Sequence, residues 1–371
     1  MSGAELMRTM DIEAYLQQQR NQLDQSRLVR DFTVFDYNYI PSRPLMRQEC
    51  KPIIDALLRF SVSGIPTHLA IIGSRGCGKT LTMQYLRQVI SRQTDLEMVY
   101  VNCRHYNTSF KIFSQLLTHE NVAGASLVGL YERFLLKFTK KTVLVLDEIN
   151  LMSPKDKDKE ILYFLSRSEK PYMIVMLSNT PHVLKQLDAA TRSSLQPFPL
   201  YFRNYDAQQI YQILLDRAQK GLCVWDDGQL QQISAMTAKQ TNSDARVAIK
   251  TLFYRVMDPA ASLEKCFEEA RRDLMIDVIN DLTDVNLMIL WAAATCKSDF
   301  AKDIYQRYCR FSQDQQARPF SYVYFYANLS YLQSVGLVGL ISTKVDRTYA
   351  NRVILTCEKS VAEQISRLRF E

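Results

Sequence analysis

Residues Gly73 to Thr80 read GSRGCGKT: a glycine, four further residues, then Gly78, Lys79 and Thr80. This spacing is the phosphate-loop pattern. The preceding HLAII (68–72) is an apolar run suited to a buried parallel strand, and the following LTMQYLRQVI places apolar residues at helical spacing. The order is therefore strand, loop, helix. A helix N-terminus offers unpaired backbone N–H groups to phosphate, and glycines allow the loop to wrap it. Gly73, Ser74, Arg75, Gly76, Cys77, Gly78, Lys79, Thr80 and Leu81 are thus expected to cradle a nucleotide. Lys79 would reach the β- and γ-phosphates and Thr80 would ligate magnesium. The plainer alternative is a glycine turn ahead of a core helix.

A partner for the loop argues against that alternative. TVLVLDE (142–148) is apolar until it ends in two carboxylates, as expected of a strand buried on both faces. Asp147 would serve magnesium, and Glu148 would polarise an attacking water. YMIVMLSNTP (172–181) places Asn179 just past another apolar run, where it would sense the γ-phosphate; the alternative is an asparagine opening a turn before Pro181. With LEMVYVNC (96–103) and PFPLYF (197–202), these segments predict a five-stranded, mostly parallel α/β domain over 36–204. Upstream of its first strand, the segment containing Ile40 either covers an adenine ring or packs as an ordinary edge. Residues 1–35 are expected to form an N-terminal tail, whose glutamine- and charge-rich part, residues 1 to about 30, reads equally as a frayed or partner-dependent helix and as disorder.

Beyond Tyr205 the strand signal stops. AQQIYQILLDRAQKGL, DGQLQQISAMTA, SDARVAIKTLFYRVM and a stretch from Ser262 to Ile279 are helical in pattern, giving an all-helical lid over 205–280. A phosphate-loop α/β domain followed by such a lid is the layout of an AAA+ ATPase. Tyr211, on the first lid helix, is assigned to nucleotide binding with Ile40. Ser243 and Asp244 suit a helix N-cap, which puts Arg246 in the first helical turn. A cation there needs a nearby anion, so Arg246 is read as a second γ-phosphate sensor.

From residue 281 onward, LTDVNLMILWAAATC and DIYQRYCRFS read as helices, and PFSYVYFYANLSYLQSVGLVGLIS passes from a helix into a strand. A polar tip and the returning RVILTCE complete a C-terminal winged helix-turn-helix over 281–371. Arg318, Tyr322, Lys344, Arg347 and Arg352 are its candidate DNA contacts. Winged helices also bind proteins, so the fold alone leaves the partner open.

The bulk figures agree with a soluble protein of several domains: 371 residues, 47% hydrophobic and 23% charged. A formal charge of +7 permits nucleic-acid binding without requiring it. Eight cysteines without a Cys-x-x-Cys pair, and only four histidines, argue against zinc and disulfides. No apolar run of about 18 residues appears, so no membrane is expected; the expected location is the cytoplasm, in association with the nucleoid.

The chain resembles one family, the archaeal initiators related to both origin recognition complex subunits and the cell division control loader protein. Beyond the ATPase motifs, VNCRHYNTSF (101–110), ILYFLSR, YDAQQIYQILLDRAQKGL, SDARVAIKTL and FSYVYFYANLSYLQSVGLVGL carry the likeness, over roughly residues 30 to 360. The resemblance implies ATP/ADP and Mg2+ as ligands. It implies binding to double-stranded origin DNA, recruitment or loading of the replicative helicase, and paralogous initiator subunits as partners. It assigns Lys79, Thr80, Asp147, Glu148, Asn179 and Arg246 the roles given above, and places a further DNA contact between Arg104 and Gly129. Slow hydrolysis would act as a switch. In LDAATRSSLQ the family's usual arginine is replaced by Ala190, leaving Arg192 as the candidate finger for a neighbouring subunit's nucleotide or as a plain exposed arginine. The competing function is a helicase-loader or regulatory adaptor whose winged helix binds protein; a vigorous remodelling motor is a third reading.

Overall fold

The computed structural model describes residues 12, 13, 15–17, 28–118, 122, 124–153, 156, 159–180, 183, 184, 187–345 and 348–370; for 344, 345 and 348–350 it describes the backbone alone. Two compact units emerge, one formed by residues 1–45 with 205–270 and the other by 46–204 with 271–371.

In the larger unit, helix α1 (Cys50–Ser63) ends at Gly64, whose φ of 71° is readily adopted only by glycine. Strands β1 (Leu69–Gly73), β2 (Glu97–Asn102), β3 (Thr142–Asp147), β4 (Tyr172–Ser178) and β5 (Phe198–Phe202) follow. They form one sheet in the order β2-β3-β4-β1-β5, and every pair is parallel. Every residue of β3 and of β4 is buried, the pattern of strands covered on both faces. Helix α2 (Lys79–Gln93) packs with α1 on one face, around Phe60, Met83 and Val145. On the other face lie α3 (Ser109–Leu116), α4 (Leu127–Lys137) and α5 (Glu160–Ser166), around Phe113, Phe134 and Ile161. A short helix, α6 (Ala189–Leu195), precedes β5.

This strand order positions the site. Because β4 lies between β1 and β3, with Ile72 level with Ser178 and Leu146 level with Met176, the loops leaving all three strands open at one sheet edge.

The smaller unit contains α7 (Ala207–Gly221), opened by a capping box between Asp206 and Gln209, then α8 (Asp227–Gln240) and α9 (Ala245–Met257). Helix α10 (Leu263–Asn280) begins in this unit, and the division falls after Ala270. The sequence reading placed residues 36–45 with the sheet domain and 271–280 with the lid; the structure divides the chain otherwise. Arg30 and Asp31 donate their backbone N–H groups to Gly221 O, and Arg217 donates to the backbone carbonyls of Val34 and Asp36. A Cβ at Gly221 would lie 2.3 Å from Val34 Cγ2, so the glycine is what admits this segment onto α7. The 3-10 turn Phe32–Phe35 thus belongs to the lid's core, and residues 28–35 are not a free tail.

The rest of the larger unit comprises the end of α10, α11 (Asp284–Thr295), α12 (Ala301–Asp314), α13 (Tyr322–Ser334), the antiparallel hairpin β6 (Val338–Val345) and β7 (Thr348–Leu355), and α14 (Lys359–Phe370). Three helices before a two-stranded hairpin are the parts a winged helix-turn-helix requires. Sequence reading missed α14, whose Val361, Ala362 and Ile365 complete this core. The same core takes in Leu151, from the segment just beyond β3.

Candidate nucleotide site

The loop from β1 to α2 is fixed by sterics. A Cβ on Gly73 would lie 2.7 Å from Phe202 O and 2.9 Å from Cys77 Sγ, and Gly76 and Gly78 have φ of 72° and 88°. Gly78 caps α2, so the first N–H groups of that helix have no intrahelical acceptor and are available to an anion. Arg47, almost fully buried, supports the loop from behind by donating to Cys77 O (2.8 Å), Arg203 O (2.6 Å) and Glu49 Oε1 (3.0 Å). The Ser74 hydroxyl donates to Asn204 Oδ1.

Lys79 is 6% exposed, and its ammonium donates to Gly73 O (2.7 Å), Ser74 O (2.8 Å) and Asn179 Oδ1 (3.0 Å). Asn179 is thereby brought to the loop from the end of the neighbouring strand, although it lies 100 residues away in sequence. On the other side, the Thr80 hydroxyl donates to Asp147 Oδ2 at 2.6 Å. Tyr100 Oη donates to the same oxygen at 2.6 Å, while Asp147 Oδ1 accepts from Glu148 N at 2.7 Å. Burial pushes the Asp147 carboxyl above the usual range; the hydrogen bonds from Thr80 and Tyr100 pull the other way. Burial and the adjacent Asp147 carboxylate also raise the Tyr100 phenol, which therefore stays a donor.

Glu148 follows at φ 52° and opens a 3-10 turn at Ile149–Leu151. A left-handed conformation is uncommon for a non-glycine residue and is held here by its surroundings. Both carboxylate oxygens face Arg104, with Nε at 3.0 Å from Oε2 and Nη2 at 3.5 Å from Oε1. The remaining guanidinium nitrogen of Arg104, Nη1, donates to Asp281 Oδ2 at 2.6 Å. Burial alone would lower the Arg104 pKa; Glu148 and Asp281 outweigh it, and the group sits above its ordinary value.

The sequence reading gave Tyr100 and Asp281 no role, assigned Arg104 only to one end of a DNA-contacting stretch, and gave Arg47 no part in supporting the loop. A tyrosine in an otherwise apolar strand, and an arginine directly after one, were the available signals. Sequence alone does not say which distant carboxylate such residues meet.

The residues present suit a magnesium nucleotide. Among the described residues no group of three or more His, Cys, Asp and Glu side chains could hold a metal. Thr80 and Asp147 instead offer adjacent hard oxygens at the foot of a phosphate cradle, matching an ion held mainly by phosphates and water.

Ile40, Tyr211 and Arg246 belong to the smaller unit; Tyr211 packs against its core. Arg246 donates Nε to Asp244 Oδ1 (3.0 Å) and Nη2 to Oδ2 (2.6 Å). The anion demanded by a cation in the first turn is therefore supplied by the cap residue itself, which removes the electrostatic argument that pointed to phosphate. Arg192 is exposed on α6, and Arg318 is exposed before α13. Tyr322 is 40% exposed and meets Tyr305 edge-on at 5.2 Å. Arg352 Nε donates to Asp299 Oδ2 at 2.7 Å. Lys344 lies on β6, and Arg347 falls outside the described residues.

Comparison with known proteins adds three findings. A family model described as an AAA domain matches residues 66–206. An ORC1-type DNA replication protein of Pyrococcus horikoshii is 25% identical over 308 residues, spanning 72% of this chain and 71% of that protein; one from Methanothermobacter thermautotrophicus is 27% identical over 306 residues, spanning 78% and 82%. The fold is similar to the structure of the Aeropyrum pernix ORC1 protein in complex with DNA, with a TM-score of 0.72 and 21% identity over 93% of this chain and 98% of that one.

Proposed function

We propose that this chain, a relative of the ORC1-type DNA replication proteins, is an ATP-switched initiator that binds origin DNA through its C-terminal helices and hairpin and helps to recruit or load the replicative helicase. The observation that carries the ATP part is the convergence of Lys79, Thr80, Asn179, Asp147 and Glu148 at one sheet edge. Likeness to replication proteins, including one whose structure is a complex with DNA, supports the DNA part. No helix among the described residues is long and apolar enough to cross a membrane, and we place the protein in the cytoplasm on the nucleoid.

The chemistry follows from the groups present. The N–H groups at the start of α2 and the Lys79 ammonium bind the β- and γ-phosphates, and Asn179 orients the γ-phosphate or the water beside it. Magnesium, held by Thr80 and Asp147, would neutralise charge on the phosphate oxygens. Glu148 accepts a proton from water as the water oxygen bonds to the γ-phosphorus. The bond from that phosphorus to the bridging oxygen breaks, and its electron pair leaves with ADP. Arg246 of the lid unit is the second sensor in this reading, once it exchanges Asp244 for phosphate. Arg192 would serve a neighbouring paralogous subunit. Slow turnover makes nucleotide occupancy the switch.

One observation favours the adaptor reading: α13 and its flanks, from Pro319 to Thr343, contain no charged residue. A helix entering a major groove usually brings arginine or lysine. The deciding experiment is DNA binding by the purified protein to a random duplex and to pooled fragments of its own genome, with ATP or ADP, across a salt series. Selective retention with a steep salt dependence supports the initiator. Equal, weak retention of every fragment rejects it in favour of a helicase-loader or regulatory adaptor.

A further inference from the structure

We infer that Asn150 is a positioning residue that fixes Asn179 at the γ-phosphate and sets its separation from Glu148, a role that deepens the ATPase reading above and rests on it.

Asn150 sits at the centre of the 3-10 turn Ile149–Leu151, which Glu148 opens at the end of β3. Its neighbours Ile149 and Leu151 are both buried, so apolar packing on either side holds the turn that presents it. From there Asn150 Oδ1 accepts the backbone N–H of Asn179 at 3.2 Å, 29 residues further along and just past β4. Ser178 Oγ lies 3.2 Å from the same oxygen, but its single hydrogen has a shorter contact with Thr180 O at 2.7 Å. The Asn179 N–H is therefore the more constant donor to Asn150. A backbone N–H can only donate, so the amide oxygen of Asn150 and not its nitrogen must face Asn179. The consequence falls on the other end of the amide: Asn150 Nδ2 is buried and meets no acceptor among the described residues. An unpaired buried donor is costly. Turning the amide over would set its NH2 against the Asn179 N–H, so the orientation is dictated by the hold on Asn179.

Asn179 is thus held at two points, its backbone by Asn150 and its side chain by Lys79, whose ammonium donates to Asn179 Oδ1 at 3.0 Å. The two holds differ once nucleotide binds. Lys79 is the group that the β- and γ-phosphates claim, so its bond to Asn179 competes with substrate. The bond from Asn150 is to a main-chain N–H and is not contested by phosphate. It is the hold that remains while the reaction proceeds. Ladder pairing of β3 with β4 ends at Leu146 and Met176, and the Asn150 bond carries the registration of the two strands past that pair to the residues that do chemistry. Glu148 lies at the start of the same turn, so one hydrogen bond ties the group that activates water to the group that orients the γ-phosphate. Geometry of this kind matters for rate, because a displacement of about 1 Å can cost about a hundredfold.

The experiment is single-turnover hydrolysis of γ-labelled ATP by the full chain at saturating protein, with affinity for a fluorescent ATP analogue measured separately. Asn150→Leu keeps the size of the side chain and removes the acceptor. Its hydrolysis rate should fall by roughly tenfold or more while analogue affinity stays close to wild type. Asn150→Asp retains an acceptor oxygen and should recover most of the lost rate. In the double variant with Asn179→Ala, Asn150→Leu should add nothing to the effect of Asn179→Ala alone, because Asn150 acts through Asn179. An unchanged rate in Asn150→Leu, an aspartate variant as slow as the leucine one, or additive effects in the double variant each overturn the positioning role. Loss of analogue binding in Asn150→Leu would assign the residue to the general shape of the site and overturn it as well. Full hydrolysis by Asn179→Ala would instead indict the reading of Asn179 as a sensor, on which the inference rests.

Discussion

The Thr80 hydroxyl and Asp147 Oδ2 lie 2.6 Å apart although 67 residues separate them, which joins the phosphate loop to the carboxylate strand in one hydrogen bond. Thr80→Val keeps the shape and removes the donor. Nucleotide affinity measured with and without magnesium should then lose its magnesium-dependent part by roughly tenfold or more, while affinity in chelator stays close to wild type. Equal loss under both conditions would show that Thr80 only shapes the loop.

Tyr100 competes for the same carboxylate oxygen. Tyr100→Phe leaves Asp147 with one donor fewer in a buried setting, and urea unfolding should show a loss of roughly 1 to 2 kcal/mol. Unaltered stability would mean that water takes over the place of the phenol.

His68, at the entry to β1, accepts the Ile174 N–H on Nδ1 at 3.0 Å and so must be neutral in the fold. Burial lowers its pKa from 6.5 to about 4. Above pH 6.5 both folded and unfolded chains carry the neutral ring, and this stabilisation is fully present. As pH falls toward 4 the unfolded chain binds a proton that the fold refuses, so about 3 kcal/mol is lost across that window. His68→Gln, which retains an acceptor, should flatten this part of the stability profile measured by thermal or urea unfolding. A profile identical to wild type would assign the acid sensitivity elsewhere.

Arg352 is held by Asp299, whose own carbonyl accepts from Val353 N at 2.7 Å. Asp299→Asn keeps that backbone bond and frees the guanidinium for phosphate. Duplex binding should tighten, and its salt slope should steepen by about one counterion. An unchanged slope would exclude Arg352 from the DNA surface.

What the sequence alone determined was local. The phosphate loop between strand and helix, the apolar strand ending in Asp147 and Glu148, the lid helices and the C-terminal hairpin were all legible, because periodicity, glycine conformation and capping act within a few residues. Even the Asp244 cap beside Arg246 lay within that range, though the pairing of their side chains did not follow from it. What only the tertiary structure decided were the meetings across the chain: Lys79 with Asn179, Tyr100 with Asp147, and Arg104 with both Glu148 and Asp281, the last 177 residues away. Those meetings depend on the order β2-β3-β4-β1-β5 and on where the C-terminal helices pack. Apolar strands of similar composition do not specify that order by pattern. It is set by packing of the whole unit, and the polar groups at the strand ends then take the partners left within reach.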